Sequence, residues 1–262
     1  MLRAMHTAAS GMDAQQLNID TIANNLSNLN TTGFKSRTAQ FQDLLYQNMR
    51  QAGAANTATT DIPLGLQVGL GTEPVASQIN FTQGDFAATG NALDLVIQGQ
   101  GFFQILQPNG QIAYTRNGNF TLNSSGNIVD SAGDVLDPQI TIPPEQTGIT
   151  IGSDGTVSVQ LPNQTQPQQV GKIELAYFQN PSGLSSLGQS LFQPTQSSGE
   201  ATTGTPGENG LGTILSGYVE QSNVSVVQEM VNMIVSQRAY EANSKVIQTA
   251  DQMLSQANNV VQ

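Results

Sequence analysis

The 262-residue chain has no cysteine, no tryptophan and a single histidine. Without cysteine there is no disulfide framework, no thiolate zinc site and no thiol nucleophile. With His6 alone, a histidine metal centre or a Ser-His-Asp triad has little to work with. Charge is scarce too: 8 basic residues stand against 19 acidic ones, a net charge of −11. That balance argues against a nucleic-acid backbone or an anionic membrane surface as partner. No apolar run reaches the length of a membrane span, so direct membrane insertion is not expected. Residues 1–10 carry Arg3 but lead into no continuous apolar stretch, so no cleavable signal peptide is expected.

Amide takes the place of charge. There are 32 Gln and 22 Asn, about a fifth of the chain, with 26 Gly. Such a composition can mean disorder. Here the apolar residues fall into clear periods, which argues for a folded chain through most of its length.

The charge is unevenly placed. Residues 1–50 carry four basic and three acidic groups, and residues 221–262 carry two and three. All the rest of the excess lies between them, where Arg116 and Lys172 face 13 acids. The near-neutral ends can pack against copies of themselves without much repulsion, and the middle suits a water-facing part.

Both ends read as helix. Met5, Ala8, Met12, Gln15, Ile19, Ile22, Leu26 and Leu29 step by three and four, a heptad seam. Breakers at residues 28–33 should end it, and a second helix is expected within residues 34–49. At the other end Val231, Ile234, Ala239, Ala242, Val246, Ala250, Met253 and Ala257 continue the same rhythm. One helix of about 35 residues is expected there, with Ser222 or Asn223 as N-cap. Period alone leaves two readings open: core helices of a globular domain, or a coiled-coil seam that packs against a partner.

Between the ends the pattern is β. Residues 93–106 read as strand, glycine turn and strand. Asn109-Gly110, Asn117-Gly118, Ser125-Gly126 and Asp154-Gly155 are hairpin signals. Short strands are expected at 140–142, 149–151 and 172–178, and polar loops at 157–170 and 197–211. Pro63, Leu64, Gly65, Leu66, Val68 and Leu70 read as one arm of an extended edge hairpin. The expected fold is therefore α+β: long N- and C-terminal helices paired as a coiled-coil region, with an inserted mainly-β domain. The expected divisions are 1–45, an N-terminal helical polymerisation segment; 46–92, an extended hairpin or linker; 93–215, a β-rich outer domain; and 216–262, a C-terminal helix packing with the first. Residues 65–71 and 204–212 are glycine-rich but lack the Gly-Lys-Ser/Thr ending of a phosphate loop. Asp130, Asp134 and Asp137 lack calcium-loop spacing. No catalytic, cofactor or metal site is expected.

Residues 10–35, SGMDAQQLNIDTIANNLSNLNTTGFK, closely resemble the N-terminal signature of bacterial flagellar axial proteins, the rod and hook family. Its most specific part contains Asn24, Asn25, Asn28, Gly33, Phe34 and Lys35. Residues 217–254 resemble the C-terminal half of the signature, with Gln237, Arg238, Ala239, Tyr240 and Glu241 at its heart. Residues 94–103 and 114–120 (YTRNGNF) match the middle, so the resemblance spans essentially the whole chain. Residues 41–74 are similar to the extended segment of the family's distal-rod members, and the chain has no room for the extra outer domain of hook subunits.

The resemblance implies a structural subunit with no enzyme activity and no cofactor. It implies export, unfolded and without signal cleavage, through the flagellar type III apparatus. Under a rod cap protein the subunits would polymerise into a hollow helical drive shaft that crosses the periplasm within the basal body and carries motor torque to the hook. The terminal helices would line the inside and the β domain would lie outside. Partners implied are further copies of the chain, hook protein, proximal rod proteins and the P-ring and L-ring proteins. Residues 63–70 would then keep the rod straight. A proximal rod or hook-type subunit is the alternative within the family. A secreted polar β protein, such as an adhesin or a carbohydrate-active enzyme, is the alternative outside it.

Overall fold

The computed structural model describes residues 2–50, 55–57, 60–61, 64–162 and 166–260. The fold is α+β, with one long helix near each end and a β-rich middle. The first helix, α1, spans Leu2–Ser27. It ends where Asn28 turns the chain: the Thr31 N–H donates to the Asn28 carbonyl at 3.2 Å and the Thr31 hydroxyl to Asn28 Oδ1 at 3.2 Å. The second, α2, spans Val226–Val260 and is 35 residues long, with no glycine or proline to break it.

Two local expectations are corrected. The helix expected within 34–49 is absent, and strands Arg37–Asp43 and Gln47–Arg50 stand there instead. The reason is long-range. The Asn25 side chain accepts from the Arg37 N–H at 2.9 Å and donates to the Arg37 carbonyl at 2.8 Å, so it acts as a strand partner for that residue. Pairing of Arg37–Asp43 with Thr72–Ile79 then outweighs local propensity. The expected N-cap of α2 also lies elsewhere. The Glu229 N–H donates to the Ser225 carbonyl at 3.0 Å, so the first turn starts from Ser225. Asn223 is engaged upstream: its Oδ1 accepts from the Ser36 N–H at 2.7 Å and its amide donates to the Asn80 carbonyl at 2.8 Å.

The chain divides into two compact units. The first holds Met1–Ser27, Arg37–Gln78 and Ser225–Gln262. In it α1 and α2 pack along each other, and the described residues between 37 and 78 form nested antiparallel strand pairs. Outermost, Arg37–Asp43 pairs with Thr72–Ile79; next Gln47–Arg50 pairs with Leu66–Val68; innermost Ala55–Thr57 pairs with Thr60–Asp61. The expected hairpin arm is therefore present at Leu66–Val68; Pro63 lies outside the described residues.

The second unit holds Asn28–Ser36 and Ile79–Val224. Its largest sheet is built around Phe102–Leu106. That strand pairs with Ile112–Thr115 on one side and with both Val135–Asp137 and Leu175–Tyr177 on the other. A three-stranded sheet joins Gly148–Ile151, Thr156–Gln160 and Gln168–Lys172, so part of the expected 157–170 loop is a hairpin. Strand Thr202–Gly204 likewise lies inside the expected 197–211 loop. Thr213–Ser216 pairs with Leu95–Gln98, and Tyr218–Glu220 with Phe86–Ala88. Apolar side chains fill two cores. One is formed by Leu95, Phe103, Ile105, Phe120, Leu136 and Ile173 among others, and the other by Phe102, Tyr114, Phe178 and Phe192.

Three of the four hairpin dipeptides join paired strands: Asn109-Gly110, Ser125-Gly126 and Asp154-Gly155. Asn117-Gly118 does not. There the Gly118 carbonyl accepts from the Leu95 N–H at 2.8 Å, and a Cβ on residue 118 would lie 1.6 Å from the Leu95 oxygen. This glycine serves a backbone crossing, not a turn.

Candidate assembly interface

The helices meet through small and polar residues at seven-residue spacing. On α1 these are Gly11, Asn18 and Asn25; on α2 they are Asn243, Ser236 and Glu229. Asn18 Nδ2 donates to Ser236 Oγ at 2.8 Å, and Asn25 Nδ2 to Glu229 Oε1 at 3.0 Å. A Cβ on Gly11 would lie 2.8 Å from Asn243 Nδ2. Residue numbers rise on one helix as they fall on the other, so the pair is antiparallel. Small side chains let the backbones approach, and the amides fix the register, as a polar residue does in a coiled-coil seam.

The residues expected to mediate assembly fall into separate groups. Ala8, Ile22 and Ala250 are buried within the chain. Met5, Met12, Ile19, Leu26, Leu29 and Ala239 are half-buried. Val231, Ile234, Ala242, Val246, Met253 and Ala257 are exposed. Their neighbours Val227, Met230 and Val235 are exposed as well, Val227 by 74%. Positions 227, 230, 231, 234 and 235 lie at helical spacing on one stripe of α2. The seam residues Glu229 and Ser236 lie on its other side, so the stripe faces away from α1.

The hairpin adds exposed apolar side chains: Leu45 (87%), Tyr46, Met49, Leu64 (75%), Leu66 and Leu70. Gly65 is exposed, while Val68 is half-buried. The hairpin is tied to α1. Arg3 donates to Gln47 Oε1 at 2.8 Å, and the Thr72 N–H donates to Ser10 Oγ at 3.3 Å.

The signature residues separate by role. Asn25 is the strand partner and seam residue described above; Asn24 is exposed. Gly33 has φ of +68°, and its N–H donates to the Glu220 carbonyl at 2.8 Å. The Phe34 N–H donates to the Thr31 carbonyl at 3.3 Å. Lys35 is buried with Glu220 at 2.6 Å, and donates also to the Thr82 carbonyl at 2.8 Å. Arg116 stands 3.6 Å from the other Glu220 oxygen, donates to the Gly99 carbonyl at 2.7 Å and lies over the Phe102 ring. Burial pushes the Lys35 ammonium below its ordinary range, against the pull of Glu220, and acts on Arg116 in the same direction. This triad joins the segment after α1 to the strand before α2. Sequence reasoning missed Arg116 and Glu220; their only signal was a charge inside matched segments of a charge-poor chain. On α2, Gln237, Arg238, Tyr240 and Glu241 are exposed, and Arg238 pairs with Glu241 at 3.0 Å.

Among the described residues no group of three carboxylates or histidines approaches closely enough to hold a metal. What the described residues of the first unit present is a set of exposed apolar side chains on α2 and on the hairpin. Comparison with known proteins gives the family. A flagella basal body rod protein model matches residues 5–35, a flagellar hook protein FlgE/F/G D1 domain matches 96–159, and a flagellar basal body rod FlgEFG protein C-terminal model matches 215–260. A FlgG flagellar basal-body rod protein of Borreliella burgdorferi is 51% identical, covering 99% of both chains. Proteins of the same description from Caulobacter vibrioides and Buchnera aphidicola are 50% and 48% identical, over 97% and 99% of this chain and 97% and 100% of their own. The chain belongs to the FlgG family of flagellar basal-body rod proteins. It is a structural protein of the flagellar basal body, not an enzyme.

Proposed function

We propose that the chain polymerises into the distal rod of the flagellum and carries motor torque to the hook, with the faces of α1 and α2 left uncovered in one subunit as the surfaces that join copies. The observation that carries this reading is the stripe Val227, Met230, Val231, Ile234 and Val235 on a helix whose other side is already occupied. Each such side chain is worth roughly 1.5–3 kcal/mol when fully buried. The stripe repeats on every subunit, so the gain is repeated along the polymer. The uncovered faces of the helices within residues 1–45 and 216–262 then pack as a coiled-coil layer across copies.

Kinship and charge support the arrangement around the rod. Hook protein and proximal rod proteins lie at the two ends, and the P-ring and L-ring proteins surround the shaft where it crosses the periplasm. A rod cap protein and the type III export apparatus act during assembly, and no signal peptide is cleaved. The acid-rich residues between 51 and 220 face water, while the near-neutral ends pack together. Exposed Leu64, Leu66 and Leu70 on the hairpin dock on neighbouring copies and stiffen the rod.

The test is Ile234→Asp, with Val231→Asp as a second variant. Both residues are exposed in the single chain, so folding is preserved while a charge enters each interface. Rods should be lost while the circular dichroism of the monomer is unchanged. Normal rods from both variants would show that the stripe faces water.

A further inference from the structure

The sides of α1 and α2 turned away from each other carry opposite charges at the same spacing. Gly11 and Asn18 face α2; two residues on, 200° around the helix, stand Asp13 and Asp20. Ser236 and Asn243 face α1; two residues on stand Arg238 and Lys245. All four charged side chains are exposed. Asp13, Asp20 and Lys245 take part in none of the ion pairs among the described residues, and Arg238 meets only Glu241 on its own helix. Each pair is seven residues apart, about 10.5 Å along its axis. The acids and the bases cannot reach each other within one chain, because the helix pair stands between them.

We infer that the outer face of α1 in one subunit docks antiparallel on the outer face of α2 in the next, with Asp13 against Lys245 and Asp20 against Arg238. This rests on the self-assembly reading and names the surfaces it uses. The next rung brings His6 to Gln252, and Glu241, paired with Arg238 on its own helix, stands level with Leu17 between the two acidic rungs. The exposed Val231 and Ile234 lie on the same side of α2 as Arg238, level in this register with residues 27 and 24 at the end of the neighbour's α1. Charges flanking an apolar seam set partner and register more than they add affinity.

The register has a geometric consequence. Within a chain α1 residue 18 is level with α2 residue 236. Across the proposed contact residue 20 is level with 238, so residue 18 is level with 240. The neighbour is therefore displaced four residues along the helix axis, about 6 Å. A contact between two different faces, with an axial step, climbs instead of closing on itself and yields an open helical polymer.

The test uses a motile strain whose own copy is deleted, complemented with variants of the full chain. Asp13→Lys with Asp20→Lys makes both outer faces basic; Arg238→Glu with Lys245→Glu makes both acidic. Each chain alone should reduce recovered rods at least tenfold and stop swimming. Their co-expression, or all four reversals in one chain, should restore rods, because opposite charges again meet at each contact. Normal rods from either double variant alone would overturn the inference. So would failure of the fourfold variant to restore rods while the circular dichroism of its monomer matches wild type. A deletion strain that still builds rods would instead overturn the proposed function.

Discussion

Glu220 binds four groups that no local sequence rule connects. One of its oxygens accepts from Lys35 and from the Gly84 N–H at 2.9 Å, the other faces Arg116, and its backbone carbonyl accepts from Gly33. Glu220→Ala leaves two buried cations without their counter-charge. Breaking a buried pair in this way costs about 3–5 kcal/mol, and denaturant unfolding of the monomer should show it. Gly33→Ala should also destabilise the monomer. Position 33 has a positive φ, and a Cβ there would lie 2.5 Å from the Asn117 nitrogen. Alanine in such a conformation costs more than about 1 kcal/mol even without the clash. At this scale the sequence announced Gly33 and Lys35 through the family signature but hid their partners. Lys35 and Glu220 are 185 positions apart, and a buried carboxylate looks like any solvated one until the fold brings a cation to it.

The elements were legible to different degrees. The two long helices could be read closely because their period persists for many turns and nothing interrupts it. The strand at Arg37–Asp43 could not be read, because its cause is the Asn25 side chain and the pairing with Thr72–Ile79. The apolar heptads of α1 drew attention to Ile22 and Leu26, yet the seam between the helices is marked by Gly11, Asn18 and Asn25, polar or small residues that a search for apolar periods passes over. Asn25→Ala should therefore unsettle both the seam and the hairpin. It removes two hydrogen bonds to the Arg37 backbone and one to Glu229, at about 0.5–1.5 kcal/mol for each bond lost. Earlier amide exchange in residues 37–43 and 72–79 than in the second unit would report it. The hairpin itself makes a separable contribution. Deleting residues 50–68 removes Leu64 and Leu66 but leaves Arg37–Asp43 paired with Thr72–Ile79. The shortened subunit should fold and polymerise into a bent filament; straight rods by electron microscopy would remove the hairpin from the account of stiffness.

Across the whole molecule the burial is unequal. The second unit holds both apolar cores. In α1 only Ala8, Ala14, Ile22 and Asn25 are buried. A helix pair joined chiefly by amides and small side chains gains little from tertiary packing, which is where most helical stability comes from. Proteases acting on dilute monomer should therefore cut in residues 2–27 and 226–260 first and leave residues 79–224, and assembly should protect the ends. A cryo-EM reconstruction of the assembled rod shows directly whether the uncovered faces of α1 and α2 join copies. Val231 and Ile234 of every subunit should be buried against a helix of a neighbouring copy. Open solvent along that stripe, with subunits touching only through residues 79–224, would mean that these faces do not join copies.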